Sequence, residues 1–176
     1  LVADRFSVVL MTDVAIFALF AASLGLLMGA GGMASFGHGA YFGAGAYAAA
    51  ISAKAGLPFV MALACGLAFA GVLALLFGWF AVRLSGVSLA MLTLAFAQIT
   101  WAIAFQWDGV TGGSNGIVGV WPPALLESKA AYYLTALLVA GAGIAFAWRI
   151  VHAPFGYLLR AARDSRVRAG AIGIHT

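Results

Sequence analysis

Apolar residues fill this chain in long uncharged stretches, and the few charged residues stand between them like punctuation. Asp13 and Lys54 bound the first run, Lys54 and Arg83 the second, Arg83 and Asp108 the third, and Lys129 and Arg149 the fourth. A helix that crosses a bilayer needs about 20 apolar residues, and the first run is about twice that length. It therefore holds two spans, or a span and a half. The pattern predicts helices over Val8–Met28, Phe36–Ser52, Pro58–Phe80, Val87–Trp107 and Ala131–Ile150. The stretch "GAGGMAS" separates the first two, and Gly56 with Pro58 marks a turn and the start of the third. The loop Asp108–Ala130, with its Gly, Ser and Asn residues and the pair Pro122-Pro123, is the long polar connection between spans.

Composition turns this pattern into a class. The 176 residues are 65% hydrophobic and 8% charged, with a mean hydropathy of +1.08. A soluble domain carries about 25% charged residues, so this chain lacks the polar groups to cover itself in water. Alternating ten-residue segments of the barrel type are absent, which leaves helices. Cys65, the single cysteine, lies in an apolar run and reads as a small buried hydrophobe. It excludes a disulfide framework within the chain.

The net charge of +4 is concentrated near one end, where Arg149, Arg160, Arg163, Arg166 and Arg168 face Asp164 alone. That pattern fits a cytoplasmic membrane-proximal segment, not a nucleic-acid surface. Val151–Thr176 is not a span, because each arginine would cost about 2.5–3.5 kcal/mol at the bilayer centre. It reads as a short amphipathic helix, with Phe155, Leu158, Leu159 and Ala162 on one face and Arg160, Arg163 and Asp164 elsewhere. Gly156 and Gly170 flank it and allow turns. With the arginines inside, the Asp108–Ala130 loop and Lys54 lie outside, while Arg83 and "GAGGMAS" lie inside. Leu1 then lies outside. The chain starts without methionine or a signal-peptide pattern, so an upstream span and cut ends are expected.

Small residues dominate "ASFGHGAYFGAGAYAAA", Ala34–Ala50, although glycine weakens a helix by roughly 1 kcal/mol per residue relative to alanine. In a bilayer, small residues let backbones approach closely. Gly25 and Gly29 form one GxxxG pair, Gly39 and Gly43 a second, and Ala46 and Ala50 continue a small stripe. Such a helix is either a packing surface or a thin wall beside a pathway. Ser35 is placed to cap it. His38 reads as a hydrogen-bonded structural histidine, with a gating or substrate role as the alternative. No second histidine or carboxylate stands at ligand spacing, so no metal is expected. "TGGSNG", Thr111–Gly116, lacks the Lys-Ser/Thr ending of a P-loop and follows no strand. It is an ordinary turn cluster or a constrained loop at the mouth of a pathway. Thr93, Gln98 and Thr100 interrupt the fourth helix as interhelical hydrogen-bonding groups or as substrate contacts.

Four segments, taken in order, carry a resemblance: "SFGHGAYFGAGAYAAA", "TLAFAQI" (Thr93–Ile99), "TGGSNGI" (Thr111–Ile117) and "FGYLLRAARDSRVRAGAIGI" (Phe155–Ile174). Together they make the chain resemble the membrane-spanning permease subunit of branched-chain amino-acid ABC transporters, over nearly its whole length. The resemblance implies a multi-pass subunit in the bacterial plasma (inner) membrane. It implies pairing with a paralogous permease, two cytoplasmic ATPase subunits and a periplasmic substrate-binding protein. It also implies further spans on either side. The chain itself would hold no cofactor, with ATP-Mg bound in the partner subunits. The last segment would dock in an ATPase groove through Phe155, Gly156, Leu159, Arg160, Ala161, Arg163, Asp164 and Gly170. Arg166 departs from the family, which commonly has an acidic residue there, and makes this surface more basic.

The expectation is thus an all-α integral membrane protein. It has about five transmembrane helices, one short or re-entrant, in a single permease domain, plus a cytoplasmic amphipathic coupling helix over 151–174. The substrate pathway is expected along Ser35, His38, Gly39, Gly43, Thr93, Gln98, Thr111, Gly112, Gly113, Ser114 and Asn115. The chain is expected not to be an enzyme and to bind lipid, not nucleic acid. An importer permease for urea or short amides stands as the alternative within the family. An ion-coupled secondary transporter is a weaker reading, because Asp13 is the lone intramembrane carboxylate candidate.

Overall fold

A computed structural model describes residues 5–121, 123 and 126–171. Leu1, Pro122 and residues 172–176, which include the end of the predicted docking segment at 174, lie outside the described residues. The described residues are helical, without strands. The chain divides into two compact units, one built from residues 1–33 and 124–176 and the other from Ala34–Pro123.

In the first unit, α1 (Arg5–Gly25) runs on through a π-helical turn, Leu26–Ala30. It packs against α6 (Lys129–Val151). Gly143 faces Leu19 at this contact: a Cβ there would stand 2.5 Å from Leu19 Cδ1, so that side chain would have to shift. Close packing is the force that joins helices in lipid, where apolar surface alone supplies none. Ser128 starts α6 by accepting from the Ala131 N–H at 3.3 Å, an N-cap bond. After α6 the chain turns sharply into α7 (Pro154–Asp164), with proline at its first position. A short α8 (Arg166–Ala171) follows.

In the second unit, α2 (His38–Lys54), α3 (Phe59–Ala81) and α4 (Gly86–Gln106) pack together. The α2–α3 pair is the tightest. A Cβ on Gly66 would come within 2.7 Å of the Gly45 carbonyl oxygen and 2.9 Å of Ala49 Cβ. Aromatic rings bind the other end, where Phe77 of α3 stacks on Phe96 of α4 at 4.2 Å. A single turn of helix, α5 (Asp108–Thr111), and a 3₁₀ turn, Gly113–Asn115, follow α4.

Among the described residues, four helical stretches are long and apolar enough to cross a membrane: Phe6–Ala30, Phe59–Ala81, Gly86–Gln106 and Lys129–Val151. Hydropathy alone located these four, and the predicted ends of the last three lie close to the observed ones. The fifth expected span corresponds to α2, whose 17 residues fall below that length. Three local expectations are corrected. Ser35 does not cap α2: the helix begins at His38, its N-cap is Gly37, and no side chain caps it. The basic segment is two helices, because Ser165 is extended (φ −165°, ψ 110°). Gly156 does not flank α7 but lies buried in its first turn, and Gly170 lies within α8.

Candidate functional site

The small residues of α2 serve two of its faces. Gly45 and Ala49 meet Gly66 of α3. Gly39 and Gly43 do not: a Cβ on either would have nothing within 4 Å. They border instead a groove of about 970 Å³ between α2, α3, α4 and α5. Of the two readings of the Gly39/Gly43 pair, this position agrees with a wall beside an open space and not with a helix-packing surface. The packing seam lies on the Gly45 face, and Gly25 and Gly29 of the first unit likewise have no atom within 4 Å of a Cβ.

The groove is walled by aliphatic and aromatic side chains, including Phe69, Phe77, Trp101 and Trp107. Among the described residues, no Asp, Glu, Lys, Arg or His lines it. Its polar groups are few and placed. Tyr47 comes from α2 and Gln98 from α4, an amide that offers two donors and a carbonyl acceptor. The Thr100 hydroxyl lies there too, but donates to the Phe96 carbonyl at 2.8 Å. Thr111 closes one end. Its hydroxyl is shared between the carbonyls of Ala104 (2.6 Å) and Trp107 (2.8 Å), and accepts from the Gly113 N–H at 3.4 Å. A mostly apolar cavity with a few convergent polar groups is the usual form of a small-molecule site.

Of the pathway residues expected from sequence, the structure brings Gly39, Gly43, Gln98 and Thr111 to this groove. Thr93 lies buried and serves as a tie. Its hydroxyl accepts from the Phe36 N–H at 3.1 Å and donates to the Ala90 carbonyl at 2.9 Å. The approach is so close that a Cβ on Gly37 would stand 2.8 Å from the Thr93 carbonyl oxygen. Ser35 precedes this junction, and His38 opens α2 edge-on to Tyr41, with ring centres 6.3 Å apart. Neither lines the groove. Gly112, Gly113, Ser114 and Asn115 also stay off its wall and form the turn that holds Thr111. Gly112 (φ +75°) and Gly113 (φ +52°) adopt left-handed backbone that glycine takes without steric cost. Tyr47 and Trp107 were missed. Tyr47 stands four residues beyond Gly43, so extending the small-residue stripe by one helical repeat would have found it.

The second feature is α7. Phe155, Tyr157 and Leu158 are exposed, while Leu159, Ala161 and Ala162 are half-buried. Its arginines turn toward helix ends. Arg160 donates to the Val151 carbonyl at 2.8 Å, at the end of α6, and lies over the Tyr157 ring. Arg163 pairs with Asp164 at 2.9 Å and donates to the carbonyl of Gly29 in the π turn of α1. Cations are favoured at such carbonyl ends, where the helix dipole is negative. Gly156 is required by contact, because a Cβ there would stand 2.6 Å from the Ile150 carbonyl oxygen and overlap that of Val151. Gly170 meets no such limit.

Long apolar helices, small-residue helix contacts and an uncharged groove define a multi-pass helical membrane protein. Residues 7–176 match the family described as branched-chain amino acid transport system / permease component, and the chain belongs to that family. No curated protein and no solved structure matches it.

Proposed function

We propose that this chain is the membrane-spanning permease subunit of an ATP-driven importer of branched-chain amino acids in the bacterial inner membrane. Two cytoplasmic ATPase subunits hold ATP-Mg, a paralogous permease completes the channel, and a periplasmic binding protein delivers the substrate. The observation that carries this reading is α7. It presents Phe155, Tyr157 and Leu158 outward while Arg160 and Arg163 fasten it to the ends of two spans. A short helix held in this way suits transfer of movement from a soluble motor to the membrane helices. The groove suits passage of an apolar side chain, since its walls are hydrocarbon and Gln98 and Tyr47 supply polar contacts.

Helix ends also support a fifth crossing. The C-terminal ends of α1 and α6 both meet α7, so they lie on one side of the membrane. The start of α6 then lies on the opposite side, so the chain from the end of α1 to the start of α6 must cross an odd number of times. Helices α3 and α4 account for two, and α2 supplies the third. Its 17 residues span about 26 Å at 1.5 Å per residue, close to the roughly 30 Å hydrocarbon thickness. With α7 and its arginines inside, the Thr111–Asn115 turn faces outside.

Gly43→Leu tests the groove as a route. The new side chain enters open space, so the helices keep their packing and the protein is expected to accumulate normally. Uptake of leucine by cells carrying the complete transporter is expected to fall about tenfold, the scale of a few blocked contacts. Undiminished uptake at normal protein level would remove the groove from the pathway.

A further inference from the structure

The sequence gives Arg163 and "GAGGM" no connection, and they lie 134 residues apart at the Gly29 contact. In the fold they form one device. Arg163 lays its aliphatic stem across Gly32, where an added Cβ would overlap Cγ and stand 2.8 Å from Cδ. Gly32 sits at φ +63°, a left-handed position at which glycine is favoured. The guanidinium then donates through Nη1 to the Gly29 carbonyl. Its Nε and Nη2 are both held at 2.9 Å by Asp164, which fixes the plane of the fork. The receiving carbonyl belongs to a π turn, a rare element that is frequent at functional sites. Gly31 lies next to this cradle, and a Cβ on it would stand 2.7 Å from the Leu27 carbonyl oxygen. The segment therefore has no room for larger residues on that side.

We propose that Arg163 in the Gly29–Gly32 cradle is the latch through which movement of α7 is passed to α1. The inference rests on the importer reading for the source of the movement, and on geometry for the link. α7 is joined to α6 by the peptide chain and by Arg160, so α6 follows it without Arg163. α1 packs on α6 without a covalent tie to α7, and among the described residues Arg163 is the side chain of α7 that makes a polar bond directly to its end. From Gly32 the chain runs on through Phe36 and Gly37 into α2. Arg163 is thus a positioning residue for coupling. Its guanidinium is engaged inside the subunit.

The test uses the complete complex in proteoliposomes, with amino-acid uptake measured per ATP hydrolysed. Arg163→Ala is expected to lower that ratio about tenfold, within the usual range of coupling between sites, with subunit stoichiometry unchanged. Arg163→Lys, which keeps a cationic donor, is expected to recover part of it. Gly32→Ala is expected to reproduce the Arg163→Ala defect, and to add little to the uptake-per-ATP ratio in the Arg163→Ala background, where the arm it displaces is gone and its left-handed backbone cost falls on stability, read separately by thermal unfolding. Full coupling in Arg163→Ala, or additive losses in the double variant, would overturn the latch. Amide hydrogen exchange of the same preparations separates the latch from the importer reading. Should the wild-type complex not couple uptake to ATP, that reading fails. The latch is still supported if Arg163→Ala speeds exchange in Leu26–Met33, and overturned if exchange there is unchanged.

Discussion

Gly66→Leu is expected to destabilise the folded protein strongly and to lower its level in the membrane. The α2–α3 seam has no space at this position: Gly45 and Ala49 face it with a backbone oxygen at 2.7 Å and a methyl at 2.9 Å from an added Cβ. Neither atom is the free end of a flexible side chain, so the helices themselves must part. Overpacking of this kind costs about 1–3 kcal/mol, and occasionally more, against a total stability of about 5–15 kcal/mol. Separation also forfeits the close contacts that hold helices together in lipid. Gly71→Leu on the same helix is the control, since a Cβ there meets nothing within 4 Å. Thermal unfolding in detergent and membrane protein level should show a large loss for Gly66→Leu and none for Gly71→Leu. Equal behaviour of the two would contradict the seam.

Gly156→Val carries the second large effect, on activity more than on the membrane helices. Its side chain would be driven into the Ile150 and Val151 carbonyls at the α6–α7 turn. These oxygens belong to the last turn of α6, and Val151 also receives Arg160. Relief requires α7 to swing away and break that bond. The α1–α6 contact at Leu19 and Gly143 lies elsewhere on α6 and is expected to survive. Leucine uptake by the complete transporter is expected to fall at least about tenfold, the lower part of the range for lost coupling, while the subunit remains in the membrane. Wild-type uptake by Gly156→Val would show that the position of α7 does not matter.

The spans were legible because charges bracket them. Lys54, Arg83, Asp108, Lys129 and Arg149 stand at or near their limits, Asp13 lies within the first, and hydropathy needs no partner to be read. The faces of α2 were not legible. Gly39, Gly43 and Gly45 look alike in sequence, and only the placement of Gly66 opposite Gly45 assigns the seam to one of them and the groove to the others. Ser35 was chosen as a cap on local chemistry, but a tertiary contact won: Thr93, from α4, takes the Phe36 N–H. Residues Thr111 to Gly116 read as an ordinary turn cluster or a constrained loop, while the role of Thr111 as the anchor of the turn depends on carbonyls of Ala104 and Trp107. The arginines of α7 were visible as a basic cluster. Their partners, the end carbonyls of α1 and α6, were not, because a backbone acceptor leaves no mark in the sequence.

Reconstitution tests the central proposal most directly. The complete transporter containing this subunit, purified with its ATPases and placed in liposomes, is given leucine-loaded binding protein outside and ATP inside. Leucine is expected to accumulate in a manner that requires ATP hydrolysis, is competed by other branched-chain amino acids, and stops when the ATPases are omitted. Accumulation driven by a proton or sodium gradient without ATP, or uptake of urea or short amides in place of leucine, would contradict it.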